Sequence, residues 1–180
     1  MHALSLEAAE IEAAREATYP PPYPEGWYVV ARSDELSSQP VQVRVAGNDL
    51  VLFRDASGAP RAIEAYCPHM GANLADGKVR DGCIECPFHK WRIDGEGRVA
   101  HVPKGFRPEP VHRTSSWPVL DLHGWICMFH RHGTIEPGPA PAPPYSLERV
   151  PEIDSGELRH RGDYDAGAIH MHLLEFVENS

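Results

Sequence analysis

Residues 67–91 read CPHMGANLADGKVRDGCIECPFHKW, and the interpretation of the whole chain depends on this stretch. It contains Cys67-Pro68-His69, then 16 residues, then Cys86-Pro87-Phe88-His89, so each motif offers one thiolate and one imidazole. Cys and His side chains are ligands for iron and zinc, and two pairs supply four ligands. Zinc fingers place a Cys pair before a His pair, whereas mixed pairs on two segments suit a two-iron cluster with inequivalent irons.

Short segments of strand-like composition surround this stretch between Trp27 and His130. Turn-forming pairs such as Gly47-Asn48, Asp81-Gly82 and His123-Gly124 separate the segments, and no helical pattern lies between them. The pattern predicts an all-β fold, an antiparallel sandwich or small barrel. The predicted strands are Trp27–Arg32, Val41–Val45, Leu50–Arg54, Arg61–Ala65, Lys78–Arg80, Cys83–Glu85, Trp91–Asp94, Arg98–Val102, Val119–Leu122 and Trp125–Phe129.

The two ends of the chain differ from this central part. Residues 4–17 carry apolar side chains at three- to four-residue spacing without Gly or Pro, which predicts a short N-terminal amphipathic helix. Prolines at 20–24 impose an extended arm, and five prolines within 137–144 mark a second extended segment. We therefore predict three regions: a helix and proline arm at 1–24, a central domain at 25–135, and at 136–180 a proline-rich linker followed by a strand at Ile169–Val177.

Composition excludes several classes of protein. The 180 residues include 26 Asp and Glu against 17 Lys and Arg, and this net charge of −9 argues against nucleic-acid binding. The longest apolar runs, Trp27–Ala31 and Trp125–Phe129, are far shorter than the roughly 18 residues that cross a bilayer, so no transmembrane segment is predicted. The N-terminus lacks the pattern of a secretory signal. Four cysteines are too few for a disulfide framework, which predicts reduced thiols and a cytoplasmic location.

The two motifs, C-P-H-M-G-A and C-P-F-H-K-W among short strands, resemble those of a Rieske [2Fe–2S] domain. The resemblance implies that Cys67 and Cys86 hold one iron of the cluster and that His69 and His89 hold the other. It also implies one-electron transfer, with the two histidines near the surface as the contact through which electrons pass. Imidazoles in place of two thiolates raise the reduction potential relative to all-Cys clusters.

Further segments resemble the Rieske oxygenase components that act on sterols, the cholesterol 7-desaturase and 3-ketosteroid 9α-hydroxylase group. The resemblance implies a reductase or ferredoxin as electron donor and an oxygenase mononuclear-iron domain as acceptor. The acidic surplus of the whole chain would suit a donor with a basic docking face, and the oligomeric state is left open. The segments that carry the resemblance are 23–28, 52–54, 67–74, 84–89 and 172–179.

The iron-binding motif of such oxygenases, D-x-x-H-x₃₋₄-H, does not occur in this sequence, and Asp163, His170 and His172 do not match its spacing. We therefore expect the Rieske portion of an oxygenase that lacks its mononuclear iron and is not catalytically complete alone, with Ile169–Val177 as the first strand of an absent catalytic domain. Two alternatives stay open. One is a complete, stand-alone Rieske ferredoxin-like electron carrier, and the other is a zinc-stabilised structural or binding module.

Several residues near the motifs are predicted to serve the scaffold. Cys83 and Cys127 lie in apolar strands and are expected in the core rather than at the cluster. Trp91 follows the second motif and is expected to shield the cluster. Gly71 and Gly77 are expected to form turns beneath the first motif.

Overall fold

Short runs rich in β-branched and aromatic residues form eleven strands in this computed structural model, which describes residues 23–104, 107–109, 111–133 and 135–162. Within these residues the strands are β1 (Gly26–Arg32), β2 (Val41–Val45), β3 (Asn48–Arg54), β4 (Pro60–Glu64), β5 (Lys78–Arg80), β6 (Cys83–Glu85), β7 (Arg92–Ile93), β8 (Val99–His101), β9 (Ser116–Trp117), β10 (Val119–Leu122) and β11 (Trp125–His130). A 3₁₀ turn at Leu74–Asp76 and a short helix, α1 (Pro151–Asp154), accompany them.

The strands form three antiparallel sheets within one compact unit, Glu25–His160. The first sheet has the order β1-β11-β10 and the second has the order β2-β3-β4-β9. The third sheet, β5-β6-β7-β8, contains only residues from the neighbourhood of the two motifs. The second motif connects β6 to β7 of this small sheet, the first motif lies between β4 of the second sheet and β5 of the third, and the two sheets share a core.

Two-residue turns with left-handed backbone connect three of the hairpins. Ala46-Gly47 joins β2 to β3, Asp81-Gly82 joins β5 to β6, and His123-Gly124 joins β10 to β11, each with positive φ at both residues. This backbone matches the right-handed twist of the flanking strands. The turn predicted at Gly47-Asn48 is wrong by one residue, because Asn48 begins β3 and its side-chain amide donates a 2.8 Å hydrogen bond to the carbonyl of Ala46.

Strand β3 is buried on both faces and connects two apolar cores. Its Val51 and Phe53 pack toward the motif-bearing sheet, whereas Leu50 and Leu52 pack toward the first sheet. Successive side chains of a strand point to opposite faces, so one strand serves both cores. The first core contains Val51, Phe53, Ile63, Cys67, Leu74, Ile84, Cys86, Trp91 and Ile93, and the second contains Leu36, Leu50, Leu52, Ala62, Trp117, Ile126 and Met128.

The structure confirms the predicted all-β fold and all ten predicted strands, with ends that move by two residues or fewer. The sequence pattern does not predict β9, the 3₁₀ turn or α1, all of which are short. The predicted N-terminal helix at 4–17 and the strand at Ile169–Val177 lie outside the described residues. The region boundaries at 24/25 and 135/136 stay predictions. None of the helices in the described part of the chain is long and apolar enough to cross a membrane.

Candidate metal centre

The two motifs fold into loops with the same backbone hydrogen bonds. In the first loop the N–H of Cys67 donates to the carbonyl of Ala72 at 2.9 Å, and the N–H of Gly71 donates to the carbonyl of Cys67 at 2.8 Å. In the second loop the N–H of Cys86 donates to Trp91 at 2.8 Å, and that of Lys90 donates to Cys86 at 3.2 Å. The equivalent positions Gly71 and Lys90 both have left-handed backbone, with φ of 70° and 61°. The two loops therefore hold their cysteines at equivalent positions, whereas the histidine follows two residues after Cys67 and three residues after Cys86.

The first loop rests on a turn that requires glycine. The Asn73 side chain accepts a 2.9 Å hydrogen bond from the N–H of Ala75 and caps the 3₁₀ turn that follows the loop. The N–H of Gly77 closes this turn on the carbonyl of Leu74. A Cβ at Gly77 would overlap the backbone carbonyl of Glu85 in the neighbouring strand. The predicted roles of Gly71 and Gly77 in turns are confirmed.

The two motif cysteines meet inside the first core. Cys67 is 4% exposed and Cys86 is 1% exposed, and the Cys86 thiol lies near enough to influence the ionisation of Cys67. Burial is the largest influence on Cys67 and raises the pKa of its thiol to about 11, and the neighbouring Cys86 thiol adds to the increase. The backbone N–H groups of His69 and Met70 point to the same sulfur and oppose the shift. These N–H groups are suited to stabilise negative charge on sulfur.

The two motif histidines meet at the edge of the same site. The rings of His69 and His89 have centroids 4.7 Å apart, with 68° between their planes, and both side chains are half-buried. Desolvation, and then the neighbouring rings of His89 and His112, lower the pKa of His69 below its ordinary value. A neutral imidazole is the form that binds a metal.

Trp91 is buried between two histidines. Its ring lies parallel to that of His69, with centroids 4.3 Å apart, and it meets the His112 ring edge-on, with centroids 5.1 Å apart. The N–H of Glu109 donates a 2.9 Å hydrogen bond to Nδ1 of His112, which fixes the orientation of that ring. The sequence predicts that Trp91 shields the cluster but gives no signal for His112, which lies 21 residues further along the chain with no motif around it.

A charged group lies directly behind the second loop. The carboxylate of Glu85, next to Cys86, is mostly buried and lies 3.4 Å from Arg80 and 3.2 Å from Arg92. Arg92 also pairs with Asp81 at 2.6 Å. These ion pairs join β5, β6 and β7 across the registers of the third sheet. They hold the strand that leads into Cys86.

The other two cysteines lie away from the paired ligands. Cys127 is 4% exposed in β11, as predicted, and burial raises the pKa of its thiol. Cys83 lies in β6, as predicted. It is only half-buried, however, and not fully in the core as expected. All four cysteines are free thiols.

The donors fit a two-iron cluster better than a single ion. Two sulfur atoms lie side by side and two imidazoles lie side by side, which matches one pair of ligands for each of two irons. Among the described residues, no three His, Cys, Asp or Glu side chains converge as the ligands of one metal ion would. Asp163, His170 and His172 lie outside the described residues.

Comparison with protein families identifies the motif-bearing part of the chain. The profile of the Rieske [2Fe–2S] domain matches residues 26–113. The oxygenase component of 3-ketosteroid-9-alpha-monooxygenase from Rhodococcus rhodochrous is 34% identical over 177 residues, which cover 96% of this chain and 45% of that protein. Cholesterol 7-desaturase nvd from Bombyx mori is 37% identical over 163 residues, 89% of this chain and 34% of that protein.

Relatives with other named substrates match at similar identity. Aminopyrrolnitrin oxygenase PrnD from Pseudomonas fluorescens is 34% identical over 168 residues, 85% of this chain and 42% of that protein. The crystal structure of dicamba monooxygenase with non-heme iron and dicamba superposes with a TM-score of 0.60 at 30% identity, covering 72% of this chain and 38% of that one. The chain thus spans less than half the length of these relatives.

Proposed function

Residues 26–113 of this chain belong to the Rieske [2Fe–2S] domain family, and on that premise we propose that the chain passes single electrons to an oxygen-activating iron centre. A Rieske-type [2Fe–2S] cluster is its cofactor. When bound, the cluster accepts one electron and later releases it. The likeness to several oxygenase components supports the assignment of the chain to such a system.

We assign Cys67 and Cys86 to one iron and His69 and His89 to the other. The observation that carries this proposal is the pairing of like donors, with the two cysteines buried in one core and two imidazole centroids 4.7 Å apart. The buried cysteines would hold their iron inside the first core. The half-buried histidines would place the other iron next to solvent, within reach of an electron donor or acceptor.

The chain's own residues prepare this site in three ways. Trp91 covers one face of His69 and fixes the plane of its ring. The backbone N–H groups of His69 and Met70 point to the sulfur of Cys67. Ile84 and Ile93, fully buried on neighbouring strands, exclude water from the cysteine side. Fixed donors and a dry interior both limit the reorganisation that accompanies a change of charge.

For the partners, we propose a reductase or ferredoxin as the donor and an oxygenase mononuclear-iron domain as the acceptor. We also propose that the chain itself lacks the mononuclear iron site and that it works in the cytoplasm, where its four free thiols would stay reduced. A steroid or sterol is the proposed substrate class of the whole system, because the relatives from Rhodococcus rhodochrous and Bombyx mori carry those names.

An electron paramagnetic resonance spectrum of the anaerobically purified and reduced protein tests the proposal. A His-ligated cluster has a lower average g value than an all-Cys ferredoxin, and we expect that lower value together with two irons and two sulfides per chain. A colourless protein that contains zinc would contradict the proposal. An all-Cys type of spectrum would contradict the ligand assignment alone.

A further inference from the structure

Exposed apolar residues adjoin the two motif histidines and His112 along the chain. Met70 follows His69 and is 66% exposed, and Phe88 precedes His89, contacts its ring at 4.0 Å and is 63% exposed. Val111, which is 73% exposed, precedes His112. His112 touches Trp91, which stacks on His69, so all three apolar residues belong to one neighbourhood. We call the surface formed by Met70, Phe88, Lys90 and Val111 the cluster face.

The charge near the cluster face is opposite to the charge of the chain. The whole chain has a net charge of −9, but residues 66–113 contain eight of its 17 basic residues and only six of its 26 acidic ones. This part of the chain is therefore positive, and the negative charge belongs to the other residues. At a physiological ionic strength, charges more than about 8 Å apart are largely screened, so a docking partner responds to the local charge.

In residues 66–113, five of the eight cations have no carboxylate partner among the described residues, against three of the six carboxylates without a cation partner. Three carboxylates of this segment are paired, since Glu85 and Asp81 contact Arg92 and Glu96 contacts Arg98. Lys90, adjacent to His89, donates to the carbonyl of Pro87 at 2.7 Å, and its ammonium group is exposed. Across residues 23–104, 107–109, 111–133 and 135–162, no carboxylate pairs with any of the five exposed cations of this segment, which are Lys78, Lys90, Lys104, Arg107 and Arg113.

We propose that the cluster face docks an acidic electron-donor protein, an inference that rests on the proposed function. The unpaired cations would attract the donor and orient it, as oppositely charged surfaces do in protein encounters. Met70, Phe88 and Val111 would supply the dry contact next to the histidines. The acidic surplus of the whole chain predicts a donor with a basic docking face. The positive charge of residues 66–113 predicts a donor with an acidic one.

Salt dependence of electron transfer tests this proposal, with a plant-type [2Fe–2S] ferredoxin as an acidic protein probe. Each reduced ferredoxin gives one electron to one oxidised cluster, and stopped-flow absorbance measures the second-order rate constant. We expect this constant to fall about five-fold or more as the ionic strength rises from about 10 to about 300 mM. A rate constant that rises with salt would mean that the whole-molecule charge governs the encounter, and it would overturn the proposal.

Charge-reversal variants test which residues cause the salt dependence of the rate constant. Lys90→Glu should lower the low-salt rate constant about three-fold or more and flatten its salt dependence, at equal cluster content. Arg159→Glu changes the net charge by the same amount at an exposed position distant in sequence, and it should leave the rate constant within about 1.5-fold. If Lys90→Glu does not load the cluster, Arg107→Glu makes the same test outside the loop. Equal effects of the cluster-face and Arg159 variants would overturn the proposal.

Two further results separate the alternatives. If dithionite reduces the cluster but ferredoxin shows the wrong sign of salt dependence, only the docking inference fails. If neither reductant produces a reduced cluster, the proposed function fails as well. Association of the chain with itself at low salt, lost in Lys90→Glu, would assign the cluster face to a second copy and overturn the acidic-donor proposal.

Discussion

The indole ring of Trp91 lies parallel to the imidazole of His69, with 4.3 Å between ring centroids and 6° between planes. Trp91 is 1% exposed, so the ring that supports the histidine belongs to the apolar core. Its carbonyl accepts the N–H of Cys86, so the same residue also closes the second loop. One residue thus connects the first loop and the core through its side chain and the second loop through its backbone.

Replacing Trp91 with Ala should destabilise the protein by about 3–5 kcal/mol, because it leaves a cavity and removes the ring against which His69 stacks. We expect the thermal midpoint, measured by circular dichroism on the cluster-loaded protein, to fall by roughly 10 °C. Phe88→Ala is the control, since this aromatic residue of the same loop is 63% exposed and should change stability by less than about 1 kcal/mol. Similar losses in both variants would contradict the buried stack.

The sequence predicts much of the fold because its signals are local. Asp81-Gly82 and His123-Gly124 are pairs that adopt left-handed backbone, so hairpins form at both places. The turn between β2 and β3 moved by one residue because Ala46, a residue with no turn preference, takes the left-handed position. Strand β9 was missed because only two residues pair with β4, and this pairing depends on tertiary contact rather than on local pattern.

The candidate ligands could be predicted for the same reason, since Cys67, His69, Cys86 and His89 lie in two short motifs. The contact of Trp91 with His112 could not, because it depends on how the chain returns to the third sheet after β8. The positive charge around the motifs was hidden by the acidic total of the whole chain. The net charge of a whole chain does not predict how charged residues are distributed over the surface of the folded protein.

Cys86→Ser should abolish the cluster, because the proposed ligand set then loses one of the two thiolates that would hold the same iron. We expect iron and acid-labile sulfide to fall to a small fraction of the wild-type content. Cys83→Ser is the matched control, because Cys83 lies at the other end of β6, is half-buried and is outside the proposed ligand set. Retention of the cluster in Cys86→Ser, or its loss in both variants, would contradict the assignment.

Gly97→Ala should be far more destabilising than Gly124→Ala, although both glycines have left-handed backbone, with φ of 75° and 88°. A Cβ at Gly97 would overlap the carbonyl of Thr114. The N–H of Thr114 donates to the carbonyl of Gly97, and this hydrogen bond holds the segment that follows His112 against the turn. No atom lies within 4 Å of a Cβ at Gly124. We expect a loss of more than about 3 kcal/mol at Gly97 and about 1 kcal/mol at Gly124 in urea unfolding. Equal losses of unfolding free energy in the two variants would mean that the left-handed backbone, and not the overlap with Thr114, determines the destabilisation.

Asp55 organises the hairpin between β3 and β4. Its carboxylate accepts hydrogen bonds from the backbone and hydroxyl of Ser57, from the N–H of Ala59 and from the guanidinium of Arg61, at 2.6–3.1 Å. Burial favours the neutral acid, but the hydrogen bonds from Ser57 and Arg61 outweigh it and lower the pKa of Asp55 to about 2. The stem of Arg61 packs against Gly95 in the turn between β7 and β8, so this carboxylate also supports the contact between the second and third sheets.

The stability that Asp55 provides should therefore depend on pH. Because its pKa is lower in the folded protein than the ordinary value of 3.8, its contribution is complete above that value and is lost as the pH falls toward 2. We expect Asp55→Asn to lower the free energy of unfolding by on the order of 1–2 kcal/mol at pH 6, after allowance for solvent screening, and by about half as much at pH 3. Urea unfolding at the two pH values measures the difference. Asp34→Asn is the control, because Asp34 pairs with Arg32 but its side chain is 69% exposed, and the variant should show little change at either pH. A deficit in Asp55→Asn that stays constant between pH 6 and pH 3 would mean that the hydrogen bonds do not depend on the charge of the carboxylate.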